Sequence, residues 1–227
     1  MVLENLINFL DNNFHHKRII KYLKNHKIDL VIDVGAHKGE FLINIIPHVP
    51  FKKAYTFEPQ LDVFSILKKK LNNDERIKHN NLAISEIIEK KRITINKLTS
   101  TSSLSELDNS SIFLKIKNFL LRQKNEELNS YEVTTTTIDN YFEELDLSNS
   151  LLKIDVEGYE LNVLKGSKNT IKKIKFVLIE NQLFNIYKNN NEKDWHDYLM
   201  KNKFTLIKKF RFPLLHFEDR LYKNSLI

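Results

Sequence analysis

The feature that most constrains this chain is the stretch Leu30-Val-Ile-Asp-Val-Gly-Ala-His-Lys-Gly-Glu40. Its first five residues, four apolar and one aspartate, are typical of a buried parallel strand. Gly35 and Gly39 follow, in a chain that has only four glycines. The apolar spacing from Phe41 to Ile46 then predicts a helix. A strand, a glycine loop and a helix N-terminus predict a cradle for a nucleotide-type ligand, because glycine lets a ligand approach the backbone closely.

An acidic residue stands where the next strand is predicted to end. Ala54–Phe57 predicts a short strand, and Glu58-Pro59 follows it about 20 residues after the glycine loop, a position from which a carboxylate can accept hydrogen bonds from ribose hydroxyls. The loop spacing Asp33-x-Gly35-x-x-x-Gly39 lacks the tight pyrophosphate turn. It therefore favours a nucleoside ligand without phosphates, and S-adenosylmethionine fits best. Each signal alone would also fit an ordinary loop and a surface glutamate; their order and spacing favour the ligand site.

Composition sets the broad class of the protein. With 227 residues, 41% hydrophobic and 29% charged, the chain is long enough for a globular α/β domain with a substantial core. It has no cysteine, which excludes disulfides and thiolate ligands. The N-terminus predicts an amphipathic helix rather than a signal peptide, and no apolar run is long enough for a transmembrane segment, so we expect a cytoplasmic protein.

The net charge of +7 bears on the partners. The basic residues are mostly lysine, whereas base and phosphate recognition relies on arginine. We therefore expect a solvated basic surface and no nucleic-acid partner. An anionic small molecule, such as a nucleotide-linked sugar, remains compatible with this charge.

The order of apolar runs and turn residues along the chain predicts an α/β fold with a mostly parallel sheet, helices on both faces and a C-terminal antiparallel hairpin. Residues 1–27 are predicted to form an N-terminal helical region and 28–227 the main domain, with a helical insertion at about 98–131. The apolar stripe of that insertion suits a lid, a dimer contact or a core helix. The predicted strands are 30–34, 53–57, 76–80, 92–96, 133–137, 151–155, 176–179, 204–208 and 216–222; the predicted helices are 39–46, 61–71, 138–145, 159–164 and 195–201.

Four segments resemble the FkbM-type S-adenosylmethionine-dependent methyltransferases. They are Ile32–Gly39, Phe57–Pro59, Val133–Tyr141, and Lys153–Glu160 with Val163–Gly166 after it. The Asp-Val-Glu-Gly-x-Glu part of the last segment is the most specific. The resemblance runs from about residue 28 to 181 and implies a Rossmann-like class I methyltransferase fold. It also implies O-methylation of a sugar or another small hydroxylated metabolite, for example in surface polysaccharide synthesis. The unmatched N-terminal helix, insertion and tail would shape the acceptor pocket.

The resemblance implies a set of cofactor-binding residues. The glycine loop would line the methionine end of S-adenosylmethionine, Glu58 would hold the ribose, and Asn81 and Ala83 would lie near the adenine. His37 contributes its backbone in this interpretation, although an exposed loop histidine is an equal alternative. The complete predicted set is Asp33, Gly35, Ala36, His37, Gly39, Glu58, Pro59, Asn81 and Ala83.

A hydroxyl is a poor nucleophile, so a general base or a metal should assist methyl transfer. Asp155 and Glu157 are the candidate catalytic residues, at and just after the end of the predicted strand 151–155. Asp155, Glu180 and Asn181 also resemble the pattern of magnesium-dependent O-methyltransferases, and their oxygen atoms suit Mg²⁺. Glu157 and Glu160 could instead be charges in the first turn of a helix, stabilised by the helix dipole, with no catalytic role. For Glu160 we favour this interpretation. His216 is a reserve candidate.

Two other function classes remain open at this stage. One is an RNA or protein methyltransferase, which the scarcity of arginine and the lack of an Asn-Pro-Pro-Tyr-type motif disfavour. The other is a catalytically silent cofactor-binding module, which the paired acids disfavour. The sequence is also compatible with a homo-oligomer.

Overall fold

The computed structural model describes residues 10, 14–96, 104–105, 127–183, 192–213 and 217–227. Its helices are α1 (His16–Leu23), α2 (Glu40–Ile45), α3 (Leu61–Leu71), α4 (Ile138–Phe142), α5 (Glu160–Lys165) and α6 (Glu192–Lys201), with a 3₁₀ turn at Thr170–Lys173. Its strands are β1 (Leu30–Val34), β2 (Lys53–Phe57), β3 (Ile77–Asn80), β4 (Ala83–Ile84), β5 (Lys90–Asn96), β6 (Glu127–Thr136), β7 (Ser150–Ile154), β8 (Phe176–Gln182), β9 (Phe204–Arg211) and β10 (Phe217–Asn224).

The main sheet has seven strands in the order β3-β2-β1-β7-β8-β10-β9. The first five are parallel, and β10 pairs antiparallel with both β8 and β9. The predicted C-terminal hairpin is therefore confirmed. The strand order reverses between β1 and β7, and in open α/β sheets ligands bind beyond the carboxyl ends of the strands at such a switch point.

Helices cover both faces of the sheet, as predicted. One face packs on α1, α2 and α3 through a cluster that includes Ile19, Leu42 and Leu67. The other packs on α4, α5 and α6 through Phe142, Val163 and Trp195. Successive strand residues alternate between these clusters. Among the described residues, no helix is long and apolar enough to cross a membrane.

A second, three-stranded sheet has the order β4-β6-β5. In this sheet the predicted strand 92–96 is longer and forms β5, Lys90–Asn96. The predicted strand 133–137 begins earlier and forms β6, which starts at Glu127. Residues 127–131 are thus strand rather than part of the predicted helical insertion. Residues 106–126, with the apolar stripe of that insertion, lie outside the described residues. So do residues 1–9 and 11–13 of the predicted N-terminal helical region, and His216.

Gly166 closes α5. Its φ of −72° is right-handed, so the position does not need glycine for conformational freedom. It needs glycine for space, because a Cβ atom there would lie 2.0 Å from the carbonyl oxygen of Ser85. Ser85 cannot easily move away, since its backbone N–H donates to the Thr136 carbonyl oxygen at 2.9 Å.

Gly166→Ala should therefore lower the free energy of unfolding by about 1–3 kcal/mol, the usual cost of overpacking. Chemical denaturation measures it. Lys168→Ala, an exposed substitution two residues away, is the control and should leave stability nearly unchanged. Equal stability of Gly166→Ala and the wild type would contradict the steric argument.

Candidate functional site

The loop after β1 passes so close to the end of β7 that only glycine fits at position 35. Gly35 has a φ of +79°, and a Cβ atom there would lie 1.7 Å from the backbone oxygen of Asp155. Its N–H donates to the Phe57 carbonyl oxygen at 3.0 Å. Gly39, with a φ of +84°, begins α2, where a Cβ atom would lie 2.8 Å from Leu67. The loop is thus held between β7 and β2 and leaves no room for a side chain at Gly35, whereas at Gly39 a Cβ atom would meet the ends of the Leu67 and Leu71 side chains.

His37 lies at the turn of this loop with a left-handed φ of +46°, a strained conformation for a residue with a side chain. Its N–H donates to Glu58 Oε2 at 3.0 Å, and its ring Nδ1 lies 3.4 Å from Glu40 Oε2. The residue is half-buried, and it contacts Glu58 through its backbone and Glu40 through its ring. Ala36 beside it is 4% exposed and belongs to the core.

Glu58 is buried at the end of β2, with 3% of its surface exposed. Its Oε1 accepts the Gln60 N–H at 2.8 Å, while Oε2 accepts the His37 N–H. Burial raises the pKa of this carboxyl to about 7, although the N–H donors of Gln60 and His37 favour the charged form. The carboxylate therefore braces the glycine loop at the position expected for a ribose contact.

Asn81 holds the chain that leaves Glu58. Its side-chain amide donates to the backbone oxygens of Glu58 at 2.9 Å and Pro59 at 3.0 Å. The structure thus brings these three predicted cofactor residues together. Ala83 lies in β4, where it is 4% exposed and packs in a small cluster with Ile93 and Val133.

Asp33 is completely buried in β1, and neither of its carboxylate oxygens has a hydrogen-bond partner in the part of the chain that the structure describes. The nearest cation is Lys153 of β7, whose Nζ lies 3.7 Å from Oδ1. Burial raises the pKa of Asp33 to about 6; Lys153 opposes this rise, and the negative charges of Asp155 and Glu40 add to it. A buried carboxylate that accepts no hydrogen bond is costly even beside a cation, and a donor from a ligand would lower that cost.

Three acids gather just after β7 and near the end of β8. Oxygen atoms of Asp155, Glu157 and Glu180 lie within 4.8 Å of one another. Asp155 Oδ2 accepts a hydrogen bond from Lys153 Nζ at 3.0 Å. Burial, then the charges of Asp155 and Glu157, raise the pKa of Glu180 well above its ordinary value. Gln182 donates its side-chain N–H groups to Glu157 and Glu180.

Asn181 points away from these acids. It is 3% exposed, and its amide donates to Glu192 Oε2 of α6 at 3.4 Å. Because it alternates with Glu180 along β8, it faces the α4–α6 side of the sheet. Glu157 rather than Asn181 therefore completes the acidic group, as the left-handed φ of +53° at Glu157 turns the chain there.

Lys153 and Gln182 contact the predicted acids but were missed by sequence reasoning. Each does carry a signal. Lys153 stands two residues before Asp155, and Gln182 two residues after Glu180, so each shares a sheet face with its acid. A lysine inside an otherwise apolar strand needs a buried anion nearby.

Glu160 lies in the first turn of α5, as predicted. Its side chain is buried there, with 3% of the residue exposed. Its Oε1 accepts the Gly158 N–H at 3.0 Å, and its Oε2 has no hydrogen-bond partner among the described residues. Burial raises the pKa of this carboxyl to about 7.

This pKa gives Glu160 a defined effect on stability. An unfolded glutamate titrates near 4.5, so between that pH and about 7 the folded state binds more protons and the free energy of unfolding falls as pH rises. Glu160→Gln keeps an acceptor for Gly158 and removes the buried charge. Relative to wild type, it should therefore gain on the order of 1–3 kcal/mol between pH 5 and pH 8.

Chemical denaturation at both pH values measures this gain. Glu86→Gln, whose side chain is 40% exposed, is the matched control and should show little pH-dependent gain. A constant difference between Glu160→Gln and wild type at the two pH values would contradict the assigned burial effect.

The fold and the site define the class: a Rossmann-like, S-adenosylmethionine-dependent methyltransferase. The model of the Methyltransferase FkbM domain matches residues 33–211, most of the chain. The chain therefore belongs to the FkbM methyltransferase family, which confirms the resemblance drawn from its motifs.

Individual relatives are distant. The 2-O-methyltransferase NoeI of Sinorhizobium fredii (strain NBRC 101917 / NGR234) is 23% identical over 167 residues, which cover 73% of this chain and 68% of that protein. A crystal structure of methyltransferase FkbM from Methylobacillus flagellatus KT matches with a TM-score of 0.57 and 16% identity over 87% of this chain. The match spans only 44% of that longer chain.

A third similar structure is Streptococcus pneumoniae Sp1610, a putative tRNA (m1A22) methyltransferase in complex with S-adenosyl-L-methionine. It matches with a TM-score of 0.52 and 12% identity over 91% of this chain and 72% of that one. At this identity the likeness concerns the fold alone.

Proposed function

We propose that this chain transfers the methyl group of S-adenosylmethionine to a hydroxyl of a sugar or another small metabolite, in the cytoplasm and in the synthesis of a surface polysaccharide. The observation that carries the proposal is the juxtaposition of the glycine loop with the acids at the ends of β7 and β8. Membership of the FkbM family and the likeness to a 2-O-methyltransferase support O-methylation.

The residues around the loop fit the cofactor. The buried carboxylate of Asp33 accepts no hydrogen bond from the described residues. It suits the cationic α-amino group of the methionine moiety, because a charged donor would satisfy its oxygens. Gly35 lets the loop turn against the Asp155 backbone, which sets the loop beside the acids that follow β7. Glu58 suits the two ribose hydroxyls, and we expect Pro59, Asn81 and Ala83 to lie toward the adenine.

The protein contributes alignment and proton removal to the methyl transfer. Bound S-adenosylmethionine supplies an electrophilic methyl group on a sulfonium. The protein must align the acceptor hydroxyl with that methyl group and take the proton that the hydroxyl loses. Asp155 or Glu157 accepts that proton, and Lys153 orients Asp155 through its hydrogen bond at 3.0 Å.

The same acids offer an alternative to a simple base. Asp155, Glu157 and Glu180 present hard oxygen atoms suited to Mg²⁺, with Glu157 taking the place that the sequence pattern had suggested for Asn181. A metal held there would lower the pKa of the acceptor hydroxyl. The two versions differ in their dependence on added metal.

Removal of the Glu58 carboxylate tests the cofactor site. Glu58→Ala should raise the calorimetric dissociation constant for S-adenosylhomocysteine about 10- to 150-fold, because the ribose hydroxyls lose a charged acceptor and the loop loses a brace. Glu75→Ala, at an exposed position, is the control. Unchanged affinity in Glu58→Ala would remove Glu58 from the site.

Asp155→Asn tests the acidic end of the site. Turnover should fall by about 100-fold or more, while S-adenosylhomocysteine still binds. If a metal takes part, EDTA should abolish activity, Mg²⁺ should restore it, and Glu180→Gln should fail in the same way. A base alone predicts indifference to EDTA and a rate that falls at low pH. Full activity in Asp155→Asn would defeat both versions.

The acceptor itself is tested by direct methyl transfer. Nucleotide-sugars and free glycans with an open 2-hydroxyl, each paired with the same compound blocked at that position, are incubated with the enzyme and S-adenosylmethionine. Mass spectrometry should show a gain of one methyl group only on the open compounds. Methylation of RNA or protein instead would favour the alternative enzyme class, and binding of the cofactor with no transfer to any acceptor would favour a silent module.

A further inference from the structure

Lys153 is a buried cation that touches both halves of the site. Its side chain is 8% exposed, and its Nζ lies 3.0 Å from Asp155 Oδ2 and 3.7 Å from Asp33 Oδ1. The ammonium also lies 5.4 Å from the centre of the Phe41 ring. The proposed roles leave Asp33 on the cofactor side and Asp155 on the acceptor side, so one charge serves both.

Lys153, Asp33 and the charged groups around them come from six elements. Asp33 of β1 faces Lys153 and Asp155 at β7 and Glu40 of α2. Lys153 in turn lies in the field of Asp219 on β10, Glu180 on β8 and His16 on α1. Burial acts to lower the pKa of Lys153, but Asp155, Asp33 and Asp219 together raise it, so the lysine stays charged at neutral pH.

Asp33 depends on this charge more than Asp155 does. The Asp33 carboxylate is fully buried and has no hydrogen-bond donor among the described residues, and its other charged neighbours, Asp155 and Glu40, are acids. Without a nearby cation, a buried carboxyl takes up a proton rather than keep its charge. A neutral carboxyl group would no longer offer a charged acceptor to an ammonium ligand.

We propose that Lys153 is a positioning residue that keeps the Asp33 carboxylate ionised for the α-amino group of the cofactor, while its hydrogen bond fixes Asp155 at the acceptor side. This inference rests on the proposed function, since it assumes that Asp33 binds the cofactor. It goes beyond that function in making one lysine responsible for the affinity of the cofactor and for its dependence on pH.

The test measures S-adenosylhomocysteine binding by calorimetry at pH 5.5, 7 and 9 in wild type, Lys153→Met and Lys153→Arg. Wild type should bind more weakly at pH 5.5 than at pH 7 or 9, because the pKa values of Asp33 and Glu58 are about 6 and about 7. Glu58 is the same in all three proteins, so its contribution cancels when each variant is compared with wild type at the same pH. Lys153→Met should bind about tenfold more weakly at pH 7 and recover by pH 9, since its Asp33 ionises only at higher pH. Lys153→Arg should behave as wild type.

Recovery at high pH separates this role from a merely structural one, because a packing defect would weaken binding at every pH. Lys165→Met, at a side chain that is 47% exposed, is the matched control and should leave affinity unchanged. If Lys153→Met does not fold, Lys153→Gln carries the same test, since its neutral amide can still donate to a carboxylate.

The outcomes are distinguishable from those of the proposed function. Wild type that binds no S-adenosylhomocysteine at any pH would count against the proposed function itself. Wild type that binds it, together with a neutral Lys153 variant whose affinity at pH 7 is unchanged or higher, would overturn this inference alone. A loss that does not recover by pH 9 would overturn it as well.

Discussion

The site depends on the parallel pairing of β1 with β7. The register sets Asp33 opposite Lys153 and Val34 opposite Ile154, and the Asp155 N–H extends the ladder by donating to the Val34 carbonyl oxygen at 3.0 Å. The two strands therefore end together, and the chain at Gly35 must turn against the backbone of Asp155. A side chain at position 35 would push these strand ends apart. The same register that demands glycine also brings the cofactor loop, the buried lysine and the candidate base into one place.

This arrangement concentrates negative charge at one edge of the sheet. Asp33, Asp155, Glu180 and Asp219 all face the side covered by α1–α3, and Lys153 lies among them. Buried ion pairs are weak evidence for stability, because desolvation offsets much of their attraction. The cluster is better explained by a ligand that brings positive charge. The S-adenosylmethionine cofactor of this class of methyltransferase, with its sulfonium and α-amino groups, is such a ligand.

Much of the fold could be predicted because its signals are local. The apolar runs of β1, β2 and β7 and the helical spacing of α3 gave bounds that agree with the structure to within a residue. The less accurate parts depend on contacts across the chain. The early start of β6 comes from its pairing with β5, which no local pattern in residues 127–131 indicated. Gly166 ends α5, but its need for glycine arises from Ser85, far away in sequence.

The same distinction applies to the site. Strand ends predicted where Asp33, Glu58, Asp155 and Glu180 would lie, since a parallel sheet gathers its carboxyl ends at one edge. They did not predict which way each side chain would face. Asn181 follows Glu180 by one residue and so turns to the opposite face, whereas Lys153 and Gln182, each two residues from an acid, share the face of that acid. Applied to every polar residue near a strand end, this period-two rule would have replaced Asn181 with Glu157 or Gln182.

Three buried carboxyl groups titrate near neutrality, each because burial opposes its charge: Asp33 at about 6, and Glu58 and Glu160 at about 7. Apolar residues at these positions would avoid the cost of burying a carboxylate. They lie beside the glycine loop and the turn before α5, and a partner that favours the charged form would lower their pKa. For Asp33 and Glu58 the proposed partner is the cofactor, which carries a cation and a pair of hydroxyl donors. Glu160 already accepts the Gly158 N–H of its own turn. If the proposed roles hold, cofactor binding should release protons at Asp33 and Glu58 and not at Glu160.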